Sequence, residues 1–203
     1  EPAADREEYE ARVASVDADI RRFLREQAII TIPAQVPGDF RQVGFNVPWI
    51  DRPGGPNFWE YVQYRDPSPD HWHAVIPGHR FDALVLAANR HPVRRHLRDG
   101  GRAEGWALYL EEAGLLLGYY DRSGRARARE LIWDFAIFRA ARTVGDVRLQ
   151  LNEIDSRQAA AYWRGLTPNL DADVARVDAE IYLRRPPGYG LGYTIGAFQM
   201  QKL

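Results

Sequence analysis

The stretch His73-Ala-Val-Ile-Pro-Gly-His79, followed by Glu104-Gly-Trp-Ala-Leu-Tyr-Leu-Glu111, decides how this sequence reads. Two imidazoles and a carboxylate from a later helix form the donor set of a single-zinc site, with a fourth position open to water or substrate. Such sites usually carry Glu directly after the first His, as the base that takes a proton from water. Ala74 stands there instead. On an ideal helix, residues six apart are rotated by about 600°, leaving them roughly 120° apart. His73 and His79 therefore share a ligand only across a distortion. Pro77 supplies one, because it has no N–H for the carbonyl of residue 73 and its ring clashes there, and Gly78 permits the adjustment. Spacing alone leaves a second reading open: two ordinary histidines at a kinked helix, with Glu104 as a partner for a helix dipole.

Outward from this stretch the pattern is helical. Residues 71–98 read as a helix interrupted at Pro77-Gly78. The next runs from about Arg102 to Leu117, with Gly118 as its cap. A long helix follows over 123–151, with Leu131, Ile132, Phe135 and Phe138 on one face. Residues 156–163 and 171–183 read as shorter helices, each opening on a good capping residue. Pro186-Pro187-Gly188 then breaks the chain before a Gly-punctuated end.

Upstream, Tyr9, Val13, Val16, Ile20, Phe23 and Leu24 recur at three-to-four spacing, an amphipathic helix within 3–27. A short β-branched run (28–32) and a long Pro- and Gly-rich crossing (33–57) follow, then a strand over 58–64 and a turn at 66–70. The fold class is mainly α with a small β component. It forms a single lobe over 1–203: residues 1–70 hold the first helix, short strands and long loop, and 71–203 are the helical metal-site region.

Composition narrows the function classes. With 203 residues, 45% of them hydrophobic and 12% aromatic, one domain with a sizeable core is expected. The balance of 27 basic and 28 acidic residues gives net charge −1, so nothing global steers the chain to nucleic acid or an anionic membrane. The clusters at 94–98 and 122–129 read as arginines on helix faces, and Lys202 is the sole lysine, a bias that suits a GC-rich bacterial genome. The absence of Cys excludes disulfides and thiolate zinc sites. No apolar run approaches the roughly eighteen residues of a membrane span. No signal peptide opens the chain, so a cytoplasmic location is the expectation. Glu1-Pro2 already lies in a helical pattern without an initiator Met; either the start was removed or this is the C-terminal part of a longer polypeptide.

The order of motifs resembles the DUF885 family of bacterial proteins, which belongs with zincin-like metallopeptidases. The family pattern is HExxPGHH, then EGWAxYxE, then a helix carrying RxxRLVVDxGxH, and near the end PGQALxYxxG. The matching stretches here are His73 to Arg80, Glu104 to Glu111, Arg139 to Gln150 and Pro187 to Gly196, over about 125 residues. Family members run to more than about twice this length, so the resemblance is to their C-terminal portion. It implies a zincin-like helical lobe with His73, His79 and Glu104 as ligands of Zn2+ or another divalent metal.

The departures cluster at polar positions. Ala74 replaces the catalytic Glu and Arg80 the His after His79. Arg148 and Gln150 stand where the third motif has Gly and His, and Tyr189 where the last has Gln. Several changes together suit natural divergence better than a single inactivating substitution.

Further candidates follow from the resemblance and the spacing. Tyr193 occupies the family's YxxG tyrosine and is expected to donate a hydrogen bond to developing negative charge; the alternative is a core or rim aromatic. Tyr189 beside it would line a pocket. Arg142 and Asp146 can pair across one turn, and Arg142 or Arg148 is a candidate for binding a substrate carboxylate. Glu111, seven residues after Glu104, is a candidate partner for a ligating His; it or Glu112 can equally be a solvated charge. His71 is a candidate surrogate acid or base, against a plain surface His.

The function expected is a zinc-dependent enzyme diverged from peptide hydrolysis and acting on a small-molecule substrate by lyase, isomerase, cyclisation or non-standard hydrolytic chemistry. The alternatives are an inactive binding protein of the same fold, or a metallopeptidase carrying an inactivating Glu-to-Ala change. A homo-oligomer or a separate N-terminal polypeptide is expected to complete the cleft.

Overall fold

The computed structural model describes residues 2–31 and 55–203. Its elements are α1 (Arg6–Glu26), α2 (Phe58–Arg65), α3 (Ser68–Ala74), α4 (His79–Ala87), a single 3-10 turn (Arg94–His96), α5 (Gly100–Leu116), α6 (Tyr119–Arg122), α7 (Ala128–Gln150), α8 (Ser156–Leu166), α9 (Ala172–Arg184) and α10 (Tyr189–Gln201). The described residues contain no strand, so the expected small β component is not seen.

The segment read as a strand, 58–64, is helix α2. Its aromatic and β-branched content suggested a strand, but the N-terminus decides otherwise. The Asn57 side chain accepts from the Glu60 amide, and the Glu60 side chain accepts from the Asn57 amide. This reciprocal cap satisfies two amides that a helix start leaves open. Phe58 and Val62, one turn apart, then enter the core together. Residues 28–31 form no regular element, and Ala28 takes a left-handed φ of 51°. Most of the expected crossing at 33–57 lies outside the described residues.

Two hydrophobic clusters organise the helices. The first gathers Val16, Ile20 and Phe23 of α1 around Trp72 of α3, with Leu110 of α5 and Tyr119 and Tyr120 of α6. The second surrounds α7, whose Leu131, Phe135, Phe138 and Leu149 meet Phe58 and Val62 of α2, Trp163 of α8 and Tyr182 of α9. α7 starts later than its periodicity suggested, because Gly124 at φ 72° separates it from the short α6.

The Gly-rich end is a helix, α10, laid along α5. A Cβ added at Gly105 would lie 2.1 Å from the carbonyl carbon of Gly196, and one at Gly196 would lie 2.0 Å from the carbonyl oxygen of Gly101. The two backbones touch, which only glycine allows. Glycines that argued against a helix by propensity are thus what lets this one dock. No helix among the described residues is long and apolar enough to cross a membrane.

Candidate metal centre

The chain does not kink between His73 and His79; it stops one helix and starts another. α3 ends at Ala74 with Val75 as its cap, and Gly78 opens α4 in an extended conformation. A Cβ on Gly78 would lie 1.9 Å from the His73 carbonyl oxygen, so the corner folds directly back onto the end of α3. It is fastened from two sides. The Phe81 amide donates to the Val75 carbonyl at 3.0 Å, and Trp106 Nε1 of α5 donates to the Pro77 carbonyl at 3.0 Å. The histidine rings end edge to face, 4.8 Å between centroids.

Glu104 projects from the second turn of α5, a helix capped by the Asp99 side chain. Its Oε2 lies 3.3 Å from His79 Nε2. One donor atom each from His73, His79 and Glu104 fall within 4.8 Å of one another. The structure therefore brings the three expected ligands together.

A buried layer stands behind them. His73 Nδ1 lies 2.7 Å from Glu111 Oε1, and Arg139 Nη1 donates to Glu111 Oε2 at 2.8 Å. Arg139 Nη2 also approaches His73 Nδ1 at 3.3 Å. A guanidinium only donates, so the two neighbours ask opposite things of that nitrogen. The hydrogen bond is the one to Arg139; Glu111 Oε1 lies close to Nδ1 without bonding it, and the imidazole is held between the two. Glu111 is thus placed against His73, and Glu112 meets Gln201 on the exposed side.

On the other side Tyr189 donates to Glu104 Oε1 at 2.9 Å, and the Tyr193 hydroxyl lies 3.1 Å from that of Tyr189. Burial alone would raise the Glu104 carboxyl, but the hydrogen bond and charge of His79, the charge of His73 and the Tyr189 hydroxyl bring it down to about 2. Because this value lies below the ordinary one, the stability these contacts give is complete above the ordinary range and is lost as pH falls from about 4.5 towards about 2. In metal-free protein, Glu104→Gln is expected to flatten that part of the pH–Tm curve. A curve unchanged by the substitution would contradict the assignment.

Arg142 does not pair with Asp146. Its Nη1 donates to Asp178 Oδ2 of α9 at 3.0 Å, and its guanidinium sits 4.8 Å from the Tyr193 ring centroid. Asp146 instead accepts the Gly190 and Leu191 amides at 2.8 and 3.3 Å, fixing the start of α10 and with it Tyr189 and Tyr193. A carboxylate at a helix N-terminus is favoured over a second contact to an arginine already held by Asp178.

His71 is no surface residue. It is 2% exposed, and its Nε2 lies 2.8 Å from Asp17 Oδ1 of α1. Two positions before His73 on α3, it is turned about 200° round the helix and does not join the donor cluster. Arg148 meets Glu153 at 3.4 Å, Gln150 meets the Tyr182 carbonyl at 3.3 Å, and Arg80 is exposed. Arg139 and the contact from Tyr189 to Glu104 were not foreseen. The signal for Arg139 lay in its spacing: arginines three apart at 139 and 142, flanked by core positions Phe135 and Phe138, had to be buried and paired.

Residues 69–203 match the family described as bacterial protein of unknown function, DUF885. The chain belongs to that family. No curated protein matches it. Among solved structures, the crystal structure of a candidate lipoprotein from Colwellia psychrerythraea shares the fold, with TM-score 0.72 and 19% identity over 99% of this chain. The match takes up 37% of that protein, so the chain spans little more than a third of its length. The match begins at the second residue of α3 and contains every residue of the donor cluster and its supporting layer.

Proposed function

We propose that this DUF885 chain is a zincin-like metalloenzyme whose single zinc is held by His73, His79 and Glu104 and whose chemistry has left peptide hydrolysis for a small-molecule substrate. The convergence of three donor atoms within 4.8 Å carries the reading. Two imidazoles and a carboxylate, with no thiolate in the chain, suit zinc. Glu111 and Arg139 hold the Nδ1 side of His73, which leaves Nε2 as the nitrogen for a metal, and Tyr189 and His79 keep Glu104 ionised.

When bound, zinc supplies Lewis-acid polarisation of a carbonyl or carboxylate oxygen. The residues around it define what can follow. Ala74 offers no proton acceptor where a peptidase carries its base, so water activation by that route is absent. Tyr189 spends its one hydrogen on Glu104, and Tyr193, whose hydroxyl lies beside it, can turn its own to charge developing on a substrate. Arg142, beneath the Tyr193 ring, holds that side chain in place. Lyase, isomerase or cyclisation chemistry, or hydrolysis with a base drawn from elsewhere, fits these groups. Ala74 equally supports a binding protein that keeps the metal without turnover.

Loss of a general base typically lowers the rate by about 10²–10⁴, so zinc-loaded protein is expected to cleave peptides near background. Ala74→Glu tests this directly. A rise in peptidase activity of that size would identify a peptidase inactivated at one position and overturn the divergence. Metal analysis after incubation with zinc separates both from a chain that binds no metal. On the true substrate, Tyr193→Phe is expected to slow turnover without releasing zinc; an unchanged rate would remove Tyr193 from the reaction.

A further inference from the structure

Trp133, Ile137, Ala140, Val144, Val147 and Leu151 lie along α7 and its C-terminal cap, and all are exposed. Their spacing is 4-3-4-3-4, the a/d period of a coiled-coil seam. It is held over about 27 Å of helix without one charged residue. Every other face of α7 is packed: Phe135, Arg142 and Leu149, opposite the seam, are buried, and α3, α5, α8 and α10 cover the flanks. A surface helix usually turns its charged face to water, yet α7 buries Arg139, Arg142 and Asp146 and presents an apolar strip instead. The strip continues sideways. Thr143 bonds Thr194 of the adjoining α10 at 2.6 Å, and next to it Ile195 and Phe198 are exposed as well. Contiguous apolar surface of this kind marks a contact site.

We infer that this face is the interface of a two-fold dimer, in which a second copy of the chain lays its own α7 antiparallel against the first. This rests on observations independent of the metal site. The seam is self-complementary about an axis beside residue 142. Trp133 then meets Leu151 of the second copy, Ile137 meets Val147, and Ala140 meets Val144. The smallest residue falls at the centre, where it lets the helices come close.

The flanking charges agree. Asp134 and Arg148 lie on the same side of the seam, fourteen residues apart. Antiparallel pairing sets Asp134 of each copy beside Arg148 of the other, twice per dimer. Asp134 has no ion-pair partner among the described residues, and Arg148, 5.7 Å from the Tyr162 ring centroid, has the exposed Glu153 at 3.4 Å as its one ion-pair partner among them. A net charge of −1 puts little repulsion between copies.

Sedimentation equilibrium of the purified chain tests this. The expected mass is twice 23.2 kDa. Val144→Glu places an unpaired charge at the centre of the seam and is expected to weaken association by about a hundredfold or more, with helix content by circular dichroism unchanged. Asp134→Arg alone is expected to weaken it less, and Asp134→Arg with Arg148→Asp to restore it. That rescue distinguishes the antiparallel pairing from a loss of folding. A chain that stays monomeric, one that associates only with a different polypeptide, or a dimer indifferent to both Val144→Glu and Asp134→Arg would overturn the inference.

Discussion

Glu104→Ala is expected to abolish tight zinc binding, with the protein still folded. Structural zinc held by four protein ligands is worth about 10–16 kcal/mol in all, and the proposed site has three. Removing one of three protein ligands forfeits several kcal/mol, which corresponds to a loss of affinity of at least about a thousandfold. The fold survives because Glu104 belongs to neither large hydrophobic cluster and its helix is capped independently by Asp99. Glu111→Ala is expected to be milder, about 10–100-fold, since it only orients His73. Glu111 is 1% exposed and neutralises Arg139, however, so this variant also leaves a buried cation unpaired and is expected to lose stability. Competition with a chromophoric chelator measures the affinities and thermal unfolding the stabilities. Equal affinities for the native chain and Glu104→Ala would refute the ligand set. A ranking in which Glu111→Ala exceeds Glu104→Ala would mean that the buried layer, not the cluster, holds the metal.

The sequence showed the cluster of donor residues more clearly than it showed their surroundings. His73, His79 and Glu104 stand in ordered motifs, and the Pro77-Gly78 pair announced a break where one was needed. The form of the break was not legible. Whether Pro-Gly bends a helix or ends it depends on what receives the freed backbone groups, here Trp106 and the Phe81 amide. Asp146 likewise sat at the right spacing for Arg142, but spacing on one helix says nothing of Asp178 on α9 or of the amides that open α10. Tertiary partners outbid the local one.

Secondary structure failed where local content and local capping disagreed. Phe58 to Tyr64 is rich in residues that favour strands, and seven positions are too few for periodicity to decide. The Asn57–Glu60 cap was the better signal, and it lay inside the stretch read as loop and strand. At the C-terminal end the error ran the other way. Gly190, Gly192 and Gly196 lower helix propensity by roughly 1 kcal/mol each, yet α10 forms because docking on α5 returns more than propensity costs.

That docking gives the second large expectation. Gly196→Ala adds one carbon 2.0 Å from the Gly101 carbonyl oxygen, an atom of helix backbone that cannot rotate aside. α10 must move away from α5 along its length, and Tyr189, four residues before the Tyr193 it touches, leaves Glu104 with it. Overpacking of this kind costs about 1–3 kcal/mol and more where backbone is involved; the upper end or beyond is expected here. Zinc affinity should fall as well, because the hydrogen bond to Glu104 is lost. Gly101→Ala on the same seam is the control. Its added carbon would meet nothing nearer than 3.5 Å, from the Asp99 side chain, and alanine near a helix start is favoured over glycine by up to about 1 kcal/mol. The two substitutions, facing each other across one interface, are therefore expected to change stability with opposite sign. Urea unfolding of both variants decides it. A Gly196→Ala protein as stable as the native chain would mean that the helices do not meet backbone to backbone, and the placement of Tyr189 against Glu104 would fall with that contact.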